Sequence, residues 1–557
     1  MNRFSAIVFI LCFFFAGTPA SGRPTFGRHG LVVSDSDLSS QAGVQTLQAG
    51  GNAADAAVTT AFMLAVTRPY YASLGGGGFM AVRFNNAVLA LNHRERAPLR
   101  SSSGMYLQAP KTNASAIGAL AVATPGTVRG LFELHKRFAK RSWHADIEPA
   151  VQLATQGFMV TEEFARMIEE NIKHFSAAGR KYFYNKGKPY KVGDRFKQPQ
   201  LARAMMLIQR YGADAFYKKG IAEDIVETTK KEGGILGHED LRSYQARWIA
   251  PLHARVFGAD VYSMPPPSSG GTLLISELKM AELIKLSELS PFSSSELHVM
   301  AEIMSRAFFE RQYLADPEFM RIRPDALYAG SRIRKWVTSI SIEKKTTFDR
   351  KGFEIRAPGP AGRDAVKHTT HYSIVDGEGN AVAATTTLNG PYGSGIVTEK
   401  FGIALNNEMD DFTTKPGQPN LFGLTQSPLN EVRPGKIPLS SMTPTILEKD
   451  GKLFMVLGAP GGPSIINAIF QVTYRALTAP HYDLDELVQA PRIHHQYSPD
   501  KLFHDKMLPS DVRKALQDRG HSLSEKTVGR VYAIRITPQG LLEGAFDARE
   551  EGGAASY

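Results

Sequence analysis

The spacing of hydrophobic positions changes along this chain, and each change predicts a different element. From residue 39 to residue 67, small and apolar residues recur on a helical spacing, and Ala42, Ala49, Ala53, Ala54, Ala56, Ala57 and Ala61 allow close approach to a neighbour. That pattern stops before Pro69. Residues 79–92 are apolar but interrupted by Asn85-Asn86, which predicts a hairpin. Helical periodicity returns over 126–140, 162–171, 198–211 and 294–314. Residues 348–367 then lose periodicity and carry Pro358-Gly359-Pro360 and Gly362, so they read as an exposed loop joining two halves.

Beyond that loop the texture is that of strands. Residues 372–388, 445–457 and 531–546 share one layout of strand, glycine-containing turn and strand, the turns being 376–380, Asp450-Gly451 and Pro538-Gln539-Gly540. Such hairpins build an antiparallel sheet. Helical patterns at 463–477 and 510–519 can cover its face, so a layered α+β architecture is favoured over a doubly wound parallel sheet.

Length and composition narrow the class. The 557 residues suggest two to four folding units at roughly 150 residues each. With 43% hydrophobic and 21% charged residues, the chain is neither fibrous, nor disordered, nor a multi-span membrane protein. Glycine (50) and proline (32) are frequent but aperiodic, which implies many tight turns and no collagen-like repeat. The net charge of +11 comes from 65 basic and 54 acidic residues spread along the chain, with no basic cluster or aromatic platform to specify nucleic acid.

The first residues predict export. Arg3, an apolar run over 4–16 and Gly17-Thr18-Pro19-Ala20 have the layout of a signal peptide cut after Ala20. The apolar run is shorter than the about 20 residues that span a bilayer, so a membrane anchor is the weaker alternative. The only cysteine, Cys12, falls inside this leader. A mature chain without cysteine has no disulfide, no thiolate nucleophile and no cysteine-based metal site.

Catalysis would then rest on serine, threonine, a carboxylate pair or a metal. There is no His-Glu-x-x-His and no zinc-like histidine spacing, and the adjacent His494-His495 reads as a structural or surface pair. Gly75 to Gly78 lacks the spacing and lysine of a phosphate loop and is compatible with a sharp backbone path. The hydroxyl-rich stretch Lys367-His368-Thr369-Thr370-His371-Tyr372-Ser373 follows the long loop and opens a strand. Composition alone leaves open whether it holds a nucleophile or ordinary strand residues.

Longer motifs carry a resemblance. Residues 369–376, Asn406-Asn407-Glu408-Met409-Asp410-Asp411-Phe412, Pro438 to Thr445 and Gly458-Ala459-Pro460-Gly461-Gly462 closely resemble segments of the gamma-glutamyltransferases, or glutathione hydrolases. Upstream, the likeness runs through Gly50 to Ala57, Gly75 to Phe79, Arg94-Glu95-Arg96-Ala97-Pro98, Pro125-Gly126-Thr127 and Pro265 to Gly271, in order and over nearly the whole mature chain.

The resemblance implies a four-layer αββα sandwich of the N-terminal nucleophile hydrolase type, and a proenzyme that cuts itself between His368 and Thr369. The large fragment 21–368 and small fragment 369–557 would remain together as a heterodimer. The cut frees an α-amine, whose pKa of about 7.7 to 8.0 suits a general base for the Thr369 hydroxyl. By the same resemblance Thr387 supports the nucleophile, and Gly461 and Gly462 offer an oxyanion hole. Arg94 with Ser440 and Ser441 takes the substrate α-carboxylate, Glu408 and Asp411 take its α-amine, and Asn389 contacts the substrate. Cofactor and metal are not implied, and the partners are small gamma-glutamyl donors with amino-acid or dipeptide acceptors.

Three positions depart from the family pattern. Phe422, in the lid segment 415–426, stands where lidded members commonly have a tyrosine bonded to the asparagine at Asn389, so a covered but looser site is expected. Asn92 replaces a frequent aspartate near Arg94, and His368 is unusual on the acyl side of the cut. The expected reaction is ping-pong transfer of a gamma-glutamyl group from glutathione or a related amide to water or an amine. The rivals are a glutaryl or cephalosporin-type acylase of the same fold, and a non-catalytic gamma-glutamyl binding protein. Retained Glu408 and Asp411 argue against a glutaryl group, which has no amine to meet them. The expected location is periplasmic or secreted, without a stable membrane span.

Overall fold

Alternation along a strand sends successive side chains to opposite faces, and the computed structural model shows what each face covers. It describes residues 24–109, 111–347 and 369–557. The expected leader with Cys12, the loop 348–367 and His368 lie outside the described residues.

Two seven-stranded antiparallel sheets occupy the centre. One runs Gly553–Ser556, Gly30–Ser34, Thr370–Asp376, Ala381–Thr387, Gly77–Phe84, Ala87–His93 and Arg247–Ile249. The other runs Thr25–Gly27, Leu542–Phe546, Tyr532–Ile536, Lys452–Gly458, Thr445–Lys449, Ala259–Ser263 and Leu252–Val256. Leu31, Val33, Ala81, Val375 and Ala383 of the first meet Ile446, Val456 and Ile534 of the second in an apolar layer between them.

Their sequence neighbours point outward. Val32, Met80, Val82, Ile374 and Val382 pack against the helices Asp37–Gln48 and Ala53–Thr67 and those behind them. Leu447, Met455, Leu457 and Ala533 pack against Gly270–Leu283, Ser294–Glu310 and Ser464–Thr478. The result is the layering helix, sheet, sheet, helix, an αββα sandwich of mixed α+β class. The three hairpins read from the sequence all form, but they do not share a sheet: the first lies in one, the other two in its partner.

The helix expected over 39–67 is two helices. Gly50 turns the chain at φ +87°, and Asn52 then caps the second helix by accepting from the Ala54 and Asp55 N–H groups while Asp55 accepts from the Asn52 N–H at 2.8 Å. This reciprocal cap outweighs the helix-favouring alanines around it. The helix expected over 294–314 ends at Glu310 and passes through a short 3-10 turn, Arg311–Tyr313. The remaining expected helices appear as Thr127–Phe138, Glu162–Asn171, Pro199–Tyr211, Ser464–Thr478 and Ser510–Asp518.

Candidate active site

Thr369 immediately precedes the strand Thr370–Asp376, and Thr387 ends its hairpin partner, so register alone brings them together. Their hydroxyls lie 3.3 Å apart, and Thr369 is buried. The Asn389 N–H donates to the Thr387 hydroxyl at 2.9 Å, and the Asn389 amide donates to the Asn407 carbonyl at 3.1 Å with its backbone at φ +73°. Arg530 donates to the Thr369 carbonyl at 3.4 Å. Glycines let a neighbouring strand approach this corner: a Cβ on Gly76 would fall 2.1 Å from the Thr387 carbonyl oxygen, and one on Gly78 2.2 Å from that of Thr385. The glycine quartet is therefore a close-packing device beside Thr387.

Gly461 and Gly462 take φ of +139° and +57° just before the helix Ser464–Thr478. Their carbonyls accept from the first helical N–H groups, at 3.3 Å from Ser464 and 3.1 Å from Ile465. Their own N–H groups donate to nothing among the described residues. Two unspent donors at a helix start, where the helix dipole is positive, suit a developing oxyanion.

Opposite this end stands a cluster of buried charge. Arg94 follows the strand Ala87–His93 and pairs with both Glu408 and Asp411, reaching the latter at 2.6 Å, with Glu95 at 3.5 Å. Its backbone is fixed by the Asn92 side chain, which accepts from the Arg94 N–H at 2.9 Å, and by Tyr244, whose hydroxyl donates to the Arg94 carbonyl at 2.8 Å. Asn92 thus serves as a backbone clamp. One Glu408 oxygen, Oε2, is buried with no hydrogen-bond partner among the described residues. Burial pushes the Asp411 carboxyl above its usual range although Arg94 and Arg311 pull it down. Burial likewise pushes Glu95 up to about 7, against the pull of Arg94.

Arg94, Thr369, Thr387, Asn389, Glu408, Asp411, Phe422, Ser440, Ser441 and Gly462 all line one cleft of about 320 Å³, part of it open to solvent. Gly461 adjoins it. Sequence reading missed Arg311, a second guanidinium in the cleft wall, because it sat inside a stretch read as uninterrupted helix.

The segment 415–426, which the resemblance marks as a lid, is tied down by groups other than a tyrosine. Asn420 donates to Asp411 at 3.2 Å, the Leu421 N–H to Asp410 at 2.8 Å, and Gln426 to the Asp411 carbonyl at 2.5 Å. Gln496 holds the Gly423 carbonyl at 3.2 Å. The Phe422 ring is packed so closely over Gly462 that a Cβ there would lie 2.7 Å from it.

His371, His494 and His495 are held in structural hydrogen bonds. His371 sits between Thr385 at 2.8 Å and Ser373 at 3.1 Å, and burial pushes it down to about 3, so it is neutral. His494 joins a buried network with Asn467 and Gln496, and His495 meets Asp500 at 3.2 Å. Among the described residues one group of possible metal donors occurs, Asp55, His135 and Asp146, away from the cleft. Its carboxylates already hold the N–H groups of Asn52, Lys140 and Arg141 and the Arg141 side chain.

Comparison with known proteins gives these arrangements a context. The family described as gamma-glutamyltranspeptidase matches residues 39–557. The chain is 38% identical to the glutathione hydrolase proenzyme of Escherichia coli strain K12 over 541 residues, 94% of this chain and 91% of that one. It is 38% identical to the glutathione hydrolase proenzyme of Pseudomonas aeruginosa over 543 residues, 94% of each. Among solved structures, the gamma-glutamyltranspeptidase of Helicobacter pylori is 37% identical, with a TM-score of 0.53 over 55% of this chain and 89% of that one. The cephalosporin acylase of Bacillus halodurans aligns with a TM-score of 0.83 over 98% of this chain and 99% of that one, at 24% identity, a likeness of fold.

Proposed function

The chain belongs to the gamma-glutamyltranspeptidase family, and we propose that the Thr369 cleft performs its reaction, the transfer of gamma-glutamyl groups to water or to an amine. The protein is a self-processing enzyme of the N-terminal nucleophile class. In maturation, the Thr369 hydroxyl attacks the His368 carbonyl, the acyl group moves from nitrogen to oxygen, and water hydrolyses the ester. This leaves a carboxylate on His368 and a free α-amine on Thr369. Fragments 21–368 and 369–557 stay associated. We assign residues 1–20 to export and the mature protein to the periplasm or the exterior. Among the described residues no helix is long and apolar enough to cross a membrane.

In catalysis the Thr369 amine accepts the hydroxyl proton as Oγ attacks the substrate γ-carbonyl. The Thr387 hydroxyl, 3.3 Å away, orients the nucleophile, and the Gly461 and Gly462 N–H groups receive the oxyanion. Collapse of the tetrahedral intermediate breaks the amide bond, and the leaving amine takes the proton from the Thr369 amine. The resulting glutamyl ester is then opened by water, giving glutamate, or by an acceptor amine, giving a new gamma-glutamyl compound.

The observation that carries this donor class is the buried Glu408 Oε2, without a partner among the described residues, beside the Arg94 guanidinium that Glu408 shares with Asp411. A buried carboxylate oxygen without a donor is costly. An α-ammonium supplies that donor, while the α-carboxylate takes Arg94 with Ser440 and Ser441. Binding then exchanges the Arg94 pairs with Glu408 and Asp411 for a pair of Arg94 with the substrate carboxylate and pairs of the substrate ammonium with the two side-chain carboxylates. A glutaryl chain brings no such cation.

The test is N-terminal sequencing of wild type and Thr369→Ala beside an assay with L-gamma-glutamyl p-nitroanilide. Wild type should give a fragment beginning at Thr369 and release nitroaniline. The variant should remain one chain with activity lower by at least about 10³-fold. An uncut wild-type chain, or a cut one with no turnover of this donor, would sink the reading.

A further inference from the structure

Residues 265–271 and Arg311 have no part in the chemistry above, yet both converge on the groups that hold the substrate's amino-acid head. The Pro267 carbonyl accepts from the Ser440 N–H at 2.9 Å. Ser269 donates to the Ser440 carbonyl twice, from its N–H at 2.9 Å and from its hydroxyl at 2.8 Å. The Ser268 hydroxyl donates to the Met442 carbonyl at 2.6 Å. The Pro-Pro-Pro-Ser-Ser-Gly-Gly motif is thus a buttress beneath the Ser440-Ser441 segment.

Arg311 connects this buttress to the other side of the cleft. Only 6% exposed, it donates from Nε to the Ser269 hydroxyl at 3.3 Å and from Nη1 to the Gln426 side-chain oxygen at 3.0 Å. Gln426 in turn donates to the Asp411 carbonyl at 2.5 Å. Asn430 braces the same corner, donating to the Asp411 carbonyl at 2.6 Å and to Gln426 at 2.9 Å while accepting from the Leu439 N–H at 3.1 Å. One guanidinium therefore spans the two segments that carry Ser440 and Asp411.

Its charge has a second consequence. The groups acting on the Asp411 carboxylate are Arg94 and Asn420, which bond it, Arg311 across the cleft wall, and the neighbouring acids Glu408, Asp410 and Glu95. When a substrate carboxylate draws Arg94, Arg311 is the cation that remains. Burial pushes Arg311 down to about 10, so it stays charged at neutral pH.

We propose that Arg311 is a positioning residue for donor recognition: it holds the Asp411 and Ser440 segments at the spacing of an α-amino-acid head and leaves a countercharge on Asp411 once Arg94 is engaged. The cleft is thereby selective for acyl donors with a free α-ammonium. This rests on Glu408 and Asp411 being the ammonium receptor.

The test uses matured wild type and Arg311→Met, Arg311→Lys and Gln426→Met, with kcat and KM for L-gamma-glutamyl p-nitroanilide and inhibition constants for L-glutamate and for glutarate, which lacks the amine. In Arg311→Met, KM and the glutamate constant should rise together by about tenfold, with kcat within about threefold and the glutarate constant rising by clearly less, about threefold. Arg311→Lys should recover part of the loss, because it restores charge without the fork. Gln426→Met should show a smaller loss of the same kind, and it decides the matter with Arg311→Lys where Arg311→Met does not mature. Equal weakening of glutamate and glutarate, or no change in either, overturns the proposal. A wild type that binds glutarate as well as glutamate overturns the ammonium reading itself, and the proposal falls with it.

Discussion

The two ends of the cleft are built from opposite materials. At the end we assign to the reaction, Thr369, Thr387, Gly461 and Gly462 contribute neutral hydroxyls and backbone N–H groups, set by strand register and by a helix start. At the end we assign to recognition, Arg94, Glu408, Asp411 and Arg311 are buried charges, carried mainly by loops and short 3-10 turns. Position at the first end follows from secondary structure, so its weakness is shape. Position at the second follows from charge balance, so its weakness is the removal of any one partner.

The sharpest test of that difference is Arg94→Ala. It strands two buried carboxylates and should cost about 3–5 kcal/mol of stability, read as a lower Tm, as well as lowering kcat/KM by about 10³-fold. Adding Glu408→Gln should return part of the stability and none of the activity. If Arg94→Ala melts like wild type, charge balance is not what holds this end.

The matching change at the reacting end is Gly462→Ala. A methyl at φ +57°, 2.7 Å from the Phe422 ring, should displace the N–H donor, lowering kcat by about tenfold or more with KM and Tm nearly unchanged. A large fall in Tm would instead show that shape and stability are coupled there too.

Smaller effects probe the recognition end further. Glu95 titrates near 7 in the folded protein and near 4.5 when free, so its contribution to stability is fully present below about 4.5 and is lost as pH rises through 7. Glu95→Gln should therefore raise Tm relative to wild type at pH 8 by a few degrees, and by much less at pH 5. Equal shifts at both values would show that Glu95 keeps its charge throughout. Smallest of all is Phe422→Tyr. Because Asn420, Gln426 and Gln496 already latch the lid, the restored hydroxyl should alter kcat/KM by less than about threefold.

Much of this plan was legible in the residues, and the omissions have physical causes. The hairpins were readable because their turns are local; Asn85-Asn86 and Asp450-Gly451 each place two consecutive residues at positive φ, the geometry of a tight two-residue turn. Their division between two sheets was not, because Gly30–Ser34 pairs with a strand more than 300 residues away, and nothing local encodes that choice. The break at Gly50 was signalled by Asn52 and Asp55 three residues apart, and was masked by the alanines on both sides. At the cleft, Arg94, Thr369 and Asp411 stood out in sequence because they lie in motifs, whereas Arg311 and Gln426 meet it through contacts between distant segments.

The order of strands in the two sheets has one last implication, for what holds a once-cut chain together. In each sheet, strands that precede Thr369 in sequence are hydrogen-bonded to strands that follow it: Gly30–Ser34 lies between Gly553–Ser556 and Thr370–Asp376, and Thr445–Lys449 lies against Ala259–Ser263. Separating the pieces would mean unzipping both sheets and exposing the apolar layer between them. A protein cut before Thr369 should therefore behave under dilution as a single chain: activity should not decay with a concentration-dependent dissociation, and heat should melt both pieces in one transition.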